Sequence, residues 1–333
     1  MIRFESIILV QGTLPTGSVN WKEESRKFPE LMRHVQANVN EALGADLARF
    51  CAEGPDSFSE QQRTALELFL TFMGQWTEWL DLKNHLPGQR KKIRFAILRR
   101  RGNTLFVGHS FGFWIAAAIL GLWGDFDQTA KVIWEYCRLT SAIRGKEARI
   151  QPVAGKELDL DFLRQLCKQI PGVGIAVVNS EKQVFASGTA SAIEQLIRVL
   201  VALDIRASEL SFVGVPWHTY LLQSARSELT RVLKESPTHR LHISFGYVDN
   251  NGAMRTTKSP RIIRRLLLSQ LTSTVEFWKL ALQIPAKAEL YELSITGKLV
   301  LTGFVEQARA VVLAPQSRLK ERVKIGVVPS PTA

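Results

Sequence analysis

The chain has 333 residues, 46% apolar and 22% charged, a length for roughly two domains and a composition that excludes a disordered or collagen-like protein. Forty-three Lys and Arg against 31 Asp and Glu leave a net charge of +12. That predicts an acidic partner without choosing among nucleic acid, anionic lipid, coenzyme phosphates and acidic carrier proteins. Three widely spaced cysteines, Cys51, Cys137 and Cys167, argue against a disulfide framework or a cysteine zinc site and point to a reducing, cytoplasmic compartment.

Residues 6–10 read as a short buried strand with Gln11-Gly12 at its end. Its brief apolar run is not that of a secretory signal. Residues 27–52 and 59–83 read as helices. In the second, Leu66, Leu68, Phe69, Phe72, Met73, Trp76, Trp79 and Leu80 recur at helical spacing, which predicts a core-facing stripe. A basic stretch follows, with Arg90, Lys91, Lys92, Arg94, Arg99, Arg100 and Arg101. It lacks the interleaved aromatic residues that single-strand nucleic-acid surfaces use for stacking, so no nucleic acid is expected. Residues 102–124 carry no Asp, Glu, Lys or Arg but hold five glycines, Asn103, His109 and Ser110. They read as a buried strand at 104–107 and a buried helix from 113 to 121, and no membrane span is expected. A helix at 127–145 follows. Residues 149–213 then read as strand, helix, strand, strand, helix, strand, the βαββαβ order of a ferredoxin-like subdomain. Beyond it, a helix at 219–235, a strand at 242–247, helices near 261–269 and 274–282, and strands at 289–294 and 298–302 return to the larger body.

The informative motif is Gly108-His109-Ser110-Phe111-Gly112. Lying between an apolar strand and an apolar helix, this G-x-S-x-G string predicts a strained turn that exposes Ser110 as a nucleophile. The helix starting behind it favours negative charge, and the Phe111 N–H would face an oxyanion. A serine hydroxyl needs a base. Of six histidines, His109 sits within the turn, His34 and His85 lie among polar residues on or beside helices, and His239 and His242 flank a strand entry. His218 differs in following Val215-Pro216-Trp217 at a strand end and opening a helix, but local chemistry alone leaves the choice of base open.

At this point the residues resemble the acyl-CoA:acyl-carrier-protein transacylases of fatty-acid and polyketide synthesis. Six segments are similar, in order and over nearly the whole chain. They are Gln11-Gly12, the turn at 108–112, residues 177–188, 215–218, 269–278 and 290–304. The resemblance implies an α/β acyltransferase fold. A large domain with a parallel sheet, like that of α/β-hydrolases, would comprise 1–148 and 214–314, with the ferredoxin-like insert at 149–213 and a linker tail at 315–333. It implies Ser110 as nucleophile, His218 as base, the backbone N–H groups of Gln11 and Phe111 as oxyanion donors, and the Gln270 carbonyl as the group that orients His218. It implies a substrate pocket touched by His109, Phe113, Cys137, Arg138 and Trp217. No metal and no permanently bound cofactor is expected. The substrates would be an acyl-CoA and the phosphopantetheine of an acidic acyl carrier protein.

Departures from the family pattern sharpen the expectation. Phe113 stands where the family has Glu, and Trp217 where it has Phe or Ser. Members that handle malonyl groups carry an Arg on the helix after the turn; here Cys137 and Arg138 both fall near that place. The helix over 66–83 and the 109 residues before Ser110 resemble starter-unit transacylase domains of fungal non-reducing polyketide synthases. Those domains generally carry Cys where this chain has Ser110. The basic tail resembles a linker toward a ketosynthase domain of the same synthase. The reading is therefore starter-unit transfer, with malonyl transfer as the alternative. A serine hydrolase would place Asp or Glu between Ser and a near-terminal His, whereas 115 residues follow His218. An inactive scaffold domain would have lost one of Ser110, His218 and Gln11.

Overall fold

The computed structural model describes residues 4–12, 19–84, 104–153, 157–210, 214–293 and 300–313. The basic stretch at 90–101, His85 and the tail at 315–333 lie outside these. The first part of the chain forms β1 (Ser6–Val10), α1 (Trp21–Glu24), α2 (Pro29–His34), α3 (Glu41–Glu53), α4 (Glu60–Asn84), β2 (Thr104–Gly108), α5 (Gly112–Ile119) and α6 (Phe126–Ser141). The single helix expected at 27–52 is thus two helices. Asn40 breaks it: its backbone is extended (φ −164°) and its side-chain oxygen accepts the Leu43 N–H at 2.9 Å, capping α3. Such a local bond competes with helix continuation.

Next come β3 (Lys146–Gln151), α7 (Leu160–Gln169), β4 (Val173–Ser180), β5 (Gln183–Gly188), α8 (Ala190–Ala202) and β6 (Arg206–Glu209). They form a four-stranded antiparallel sheet ordered β4-β5-β3-β6, which is the ferredoxin-like arrangement. It starts at Lys146, three residues before the expected boundary. Its last strand is Arg206–Glu209, and residues 211–213 lie outside the described residues.

The remainder is α9 (Gln223–Glu235), β7 (Ser244–Val248), β8 (Met254–Thr257), α10 (Pro260–Thr272), α11 (Phe277–Ala281), β9 (Glu289–Leu293) and α12 (Val300–Leu313). Strand β8 was not expected. It pairs antiparallel with β7 across a turn in which the Asp249 carboxylate accepts the N–H groups of Asn251 and Ala253. An aspartate followed by Asn250, Asn251 and Gly252 is the turn chemistry that marks it. Two further corrections concern the C-terminal third. Residues 274–276 are not helical; Val275 instead pairs with β4. Of the strand expected at 298–302, residues 300–302 instead open α12, and 298–299 lie outside the described residues. The Glu292 carboxylate accepts the N–H groups of Leu301 and Thr302 at 3.0 and 2.9 Å, so it takes up two donors that a helix start leaves unpaired.

The large sheet runs β8-β7-β2-β1-β9, parallel except for its β7–β8 edge. Both its faces are covered. Ile8, Val10 and Phe106 join the core built by α4, α5 and α6, while Ile7, Leu9, Leu105 and Val107 join the core shared with the small sheet, α11 and α12. Strands buried on both faces read as unbroken apolar runs, which is why these two were plain in the sequence. Along α4, Leu66, Leu68, Phe69, Phe72 and Met73 are buried as the stripe predicted. Among the described residues no helix is long and apolar enough to cross a membrane.

The cap on α12 gives the first test. Glu292→Ala should lower unfolding stability by about 1–2 kcal/mol in urea titration, because two amides lose their acceptor. Glu292→Gln, which keeps an oxygen, should lose less.

Candidate active site

Three backbone segments meet where β1 and β2 end and α5 begins. The His109 N–H donates to the Val10 carbonyl at 3.0 Å, and the Gly112 N–H to the His109 carbonyl at 2.9 Å. The approach is so close that a Cβ on Gly112 would overlap the Val10 carbonyl oxygen, and one on Gly12 the His109 carbonyl oxygen. Between them Ser110 holds a left-handed conformation, φ 54°. A non-glycine residue there costs on the order of 1 kcal/mol and persists only where its surroundings enforce it.

His218 is the second such residue, φ 58°. Its Nε2 lies 2.8 Å from Ser110 Oγ, and its Nδ1 lies 2.7 Å from the main-chain carbonyl of Gln270. A carbonyl only accepts, so Nδ1 carries the proton and Nε2 is the bare nitrogen that accepts the serine O–H. Gln270 lies in the last turn of α10, where carbonyls lack intrahelical partners. Burial pushes His218 down to about 4, against the opposing Gln270 hydrogen bond, with neighbouring His109 adding a smaller push downward. The imidazole is therefore neutral at physiological pH.

A family model described as the acyl transferase domain matches residues 95–310. The chain belongs to the acyl transferase family. Similar solved structures carry the same fold at low identity. An acyl carrier protein S-malonyltransferase from Vibrio cholerae is 23% identical with a TM-score of 0.67, covering 91% of this chain and 94% of that one. A malonyl-CoA:acyl carrier protein transacylase from Xanthomonas oryzae is 19% identical with a TM-score of 0.69, covering 92% and 93%. A malonyl-transacylase complexed with its type II polyketide-synthase carrier protein is 22% identical with a TM-score of 0.68, covering 91% and 93%. No curated protein matches the chain.

In this acyl transferase Ser110 opens into a cleft of about 460 Å³ between the large domain and the small sheet. His109, Trp217 and His218 line it beside the serine. Glu147, Arg149, Asn179 and Phe185 line it from the small sheet, Glu67 and Thr71 from α4, and Leu301 and Phe304 from α12. His109 ties the two halves together. Its Nε2 lies 2.8 Å from Asn179 Oδ1, and Asn179 Nδ2 donates to Gln183 Oε1 at 3.0 Å. Burial holds His109 below its ordinary range, against the opposing Asn179 hydrogen bond.

Three expected pocket residues lie elsewhere. Phe113 is buried behind the turn, edge-on to Phe245 at 4.4 Å between ring centres. Cys137 is fully buried in the core, and burial pushes its thiol well up. Arg138 points outward and pairs with Glu135 at 2.6 Å. The residue that α6 packs behind the turn is the buried Tyr136, whose ring stacks on Phe111 at 5.0 Å and on the cleft residue Trp217 at 6.4 Å. The buried stripe Thr129, Val132, Tyr136, Thr140 has helical spacing and could have found it.

The oxyanion pocket also differs from expectation. The Gln11 N–H continues the sheet ladder and donates to the Leu293 carbonyl at 3.2 Å, and the Gln11 carbonyl accepts from the fully buried Gln75 amide at 2.9 Å. No described residue accepts from the Phe111 N–H. Of the two expected donors, the Phe111 amide is thus unengaged among the described residues and the Gln11 amide is engaged by Leu293.

Sequence reasoning missed Glu147. It is 8% exposed, and burial pushes its carboxyl up to about 8. In the unfolded chain this group ionises near 4.5, so between those values the folded state keeps a proton that the unfolded state releases. Stability therefore falls as pH climbs from about 4.5 to 8. Glu147→Gln should remove that slope. Urea midpoints at pH 5 and pH 8.5 should differ less for the variant, which gains about 2–4 kcal/mol on the native chain at the higher pH.

Proposed function

We propose that the chain transfers a neutral acyl starter group from acyl-CoA, or from a donor carrier protein, to the phosphopantetheine thiol of an acyl carrier protein in polyketide synthesis. The observation that carries this reading is the relay from Ser110 Oγ through His218 to the Gln270 carbonyl, at the floor of a cleft that no described residue of α6 lines and from which Arg138 points away.

In the first half-reaction His218 Nε2 takes the Ser110 proton as Oγ attacks the thioester carbonyl. The oxyanion gathers against the Phe111 N–H and the α5 N-terminus, where an aligned donor is worth about 10²–10³ in rate. The tetrahedral adduct expels CoA as a thiol, protonated by the same Nε2. In the second half-reaction the carrier's pantetheine thiol gives its proton to Nε2 and attacks the acyl-serine, and Ser110 regains its proton as it leaves. The Gln270 carbonyl keeps the tautomer throughout, in the role a carboxylate has in a triad. That main-chain acceptor also separates this site from a hydrolase built on Ser, Asp and His.

The charge of +12 suits an acidic carrier and the coenzyme phosphates. Arg261 and Arg265 are exposed and available to them, whereas Arg264 donates to the Leu233 carbonyl and braces α10 on α9. A ketosynthase domain of the same synthase is the further partner proposed. One observation favours the malonyl alternative: Arg149 lies on the cleft wall and could pair with a carboxylate.

Intact-protein mass after brief incubation with acetyl-, butyryl-, hexanoyl-, octanoyl- and malonyl-CoA tests the reading. A neutral acyl adduct, absent in Ser110→Ala, is the expected result, and an adduct from malonyl-CoA alone would replace it with the extender reading. Acylation rates should hold down to about pH 5 and fall toward pH 4, where His218 protonates. A fall centred near pH 6.5 would contradict the buried neutral base. Transfer to the carrier should weaken with added salt.

A further inference from the structure

Glu147 is the cleft group that the transfer chemistry leaves unused. On β3, Ala148 and Ile150 point into the core, while Glu147 and Arg149 take the opposite face, toward the cleft. Glu147 is more than nine-tenths buried, yet its carboxyl has no hydrogen-bond or ion-pair partner among the described residues. The groups around it are committed or exposed. Ser187, opposite it on β5, donates to the Lys146 carbonyl, and Lys146 pairs with Glu209 at 2.8 Å. Arg149 is exposed. His109 and His218 are held neutral by burial. A largely buried carboxyl with no protein partner is costly, and one that opens only to the cleft is placed to meet a ligand that brings the missing partner.

We infer that Glu147 determines acyl specificity by hydrogen-bonding an acyl chain that carries a donor, a hydroxyl or an amine, in preference to a plain alkyl chain or a carboxylate. The inference rests on the acyl-transfer reading above. A plain alkyl chain would strip water from the carboxyl and return nothing. A hydroxyl is met by the carboxyl in either protonation state. A neutral amine takes the proton of the Glu147 carboxyl, and the resulting ammonium pairs with the carboxylate inside the cleft. A malonyl carboxylate would set two acidic groups side by side, a repulsion that a shared proton or Arg149 on the same wall would have to relieve.

The test is competition loading followed by intact mass. Butyryl- and hexanoyl-CoA would be offered plain, or with a hydroxyl or an amine at the position next to the chain end, together with malonyl-CoA. The proteins would be the native chain, Glu147→Gln and Glu147→Leu. The native chain should favour a donor-bearing chain over its plain partner by about 10-fold or more. Glu147→Gln should keep a preference for the hydroxyl and lose that for the amine, and Glu147→Leu should lose both. Thermal melts serve as the folding check: removing an unpartnered buried carboxyl should leave Glu147→Leu at least as stable as the native chain. A flat preference in the native chain, or one unchanged in Glu147→Leu, overturns the role of Glu147 and leaves the transfer reading intact. No serine adduct from any thioester overturns both.

Discussion

Everything at the site depends on how closely three stretches of backbone approach one another where β1 and β2 end. Gly12 and Gly112 lack the atom that would keep those stretches apart. With them in contact, the His109 amide reaches the Val10 carbonyl, and Ser110 is driven into a conformation that an L residue avoids. The strain is balanced by burial around it. Phe111 stacks on Tyr136, and α5 is apolar along its whole length and sealed in the core. A core that tolerates few voids thus converts the absence of two Cβ atoms into the aim of one hydroxyl.

The two sheets do not act as separate bodies. Their helices and strands share a single apolar core, into which one face of the large sheet packs. The backbone continues that union, since the Val178 amide donates to the Val275 carbonyl and the Val275 amide to the Ala176 carbonyl. Residues from both halves also meet in the cleft, where the His109–Asn179 bond crosses from the turn to the small sheet. The acyl chain would therefore bind against a wall held from behind by the core and from in front by polar contacts.

Much of this was legible in the sequence, for identifiable reasons. The paired inner strands, the turn at Ser110 and the βαββαβ order depend on local pattern, and they stand where the pattern put them. His218 and Gln270 came from resemblance, since their meeting depends on residues 52 positions apart. What sequence could not supply was side-chain direction. Cys137 and Arg138 follow Tyr136, which packs behind the turn, and on a helix each step turns the side chain by about 100°, so one position decides between core and solvent. The start of α12 was hidden for a related reason: its cap is supplied by Glu292, on the strand before it. Glu147 was invisible because an acidic residue on a strand ordinarily faces water, and only the packed cleft shows that this one does not.

The stretch from Gln270 to Phe277 serves two masters. At one end its carbonyl holds the Nδ1 proton of His218; five residues on, Val275 is stitched to the edge of the small sheet, with Thr274 anchored to the Ile175 carbonyl. Four residues separate the carbonyl behind the imidazole from the pairing with the small sheet. The wall that the small sheet gives the cleft and the acceptor behind His218 thus hang on one short run of chain, and neither position is set without the other.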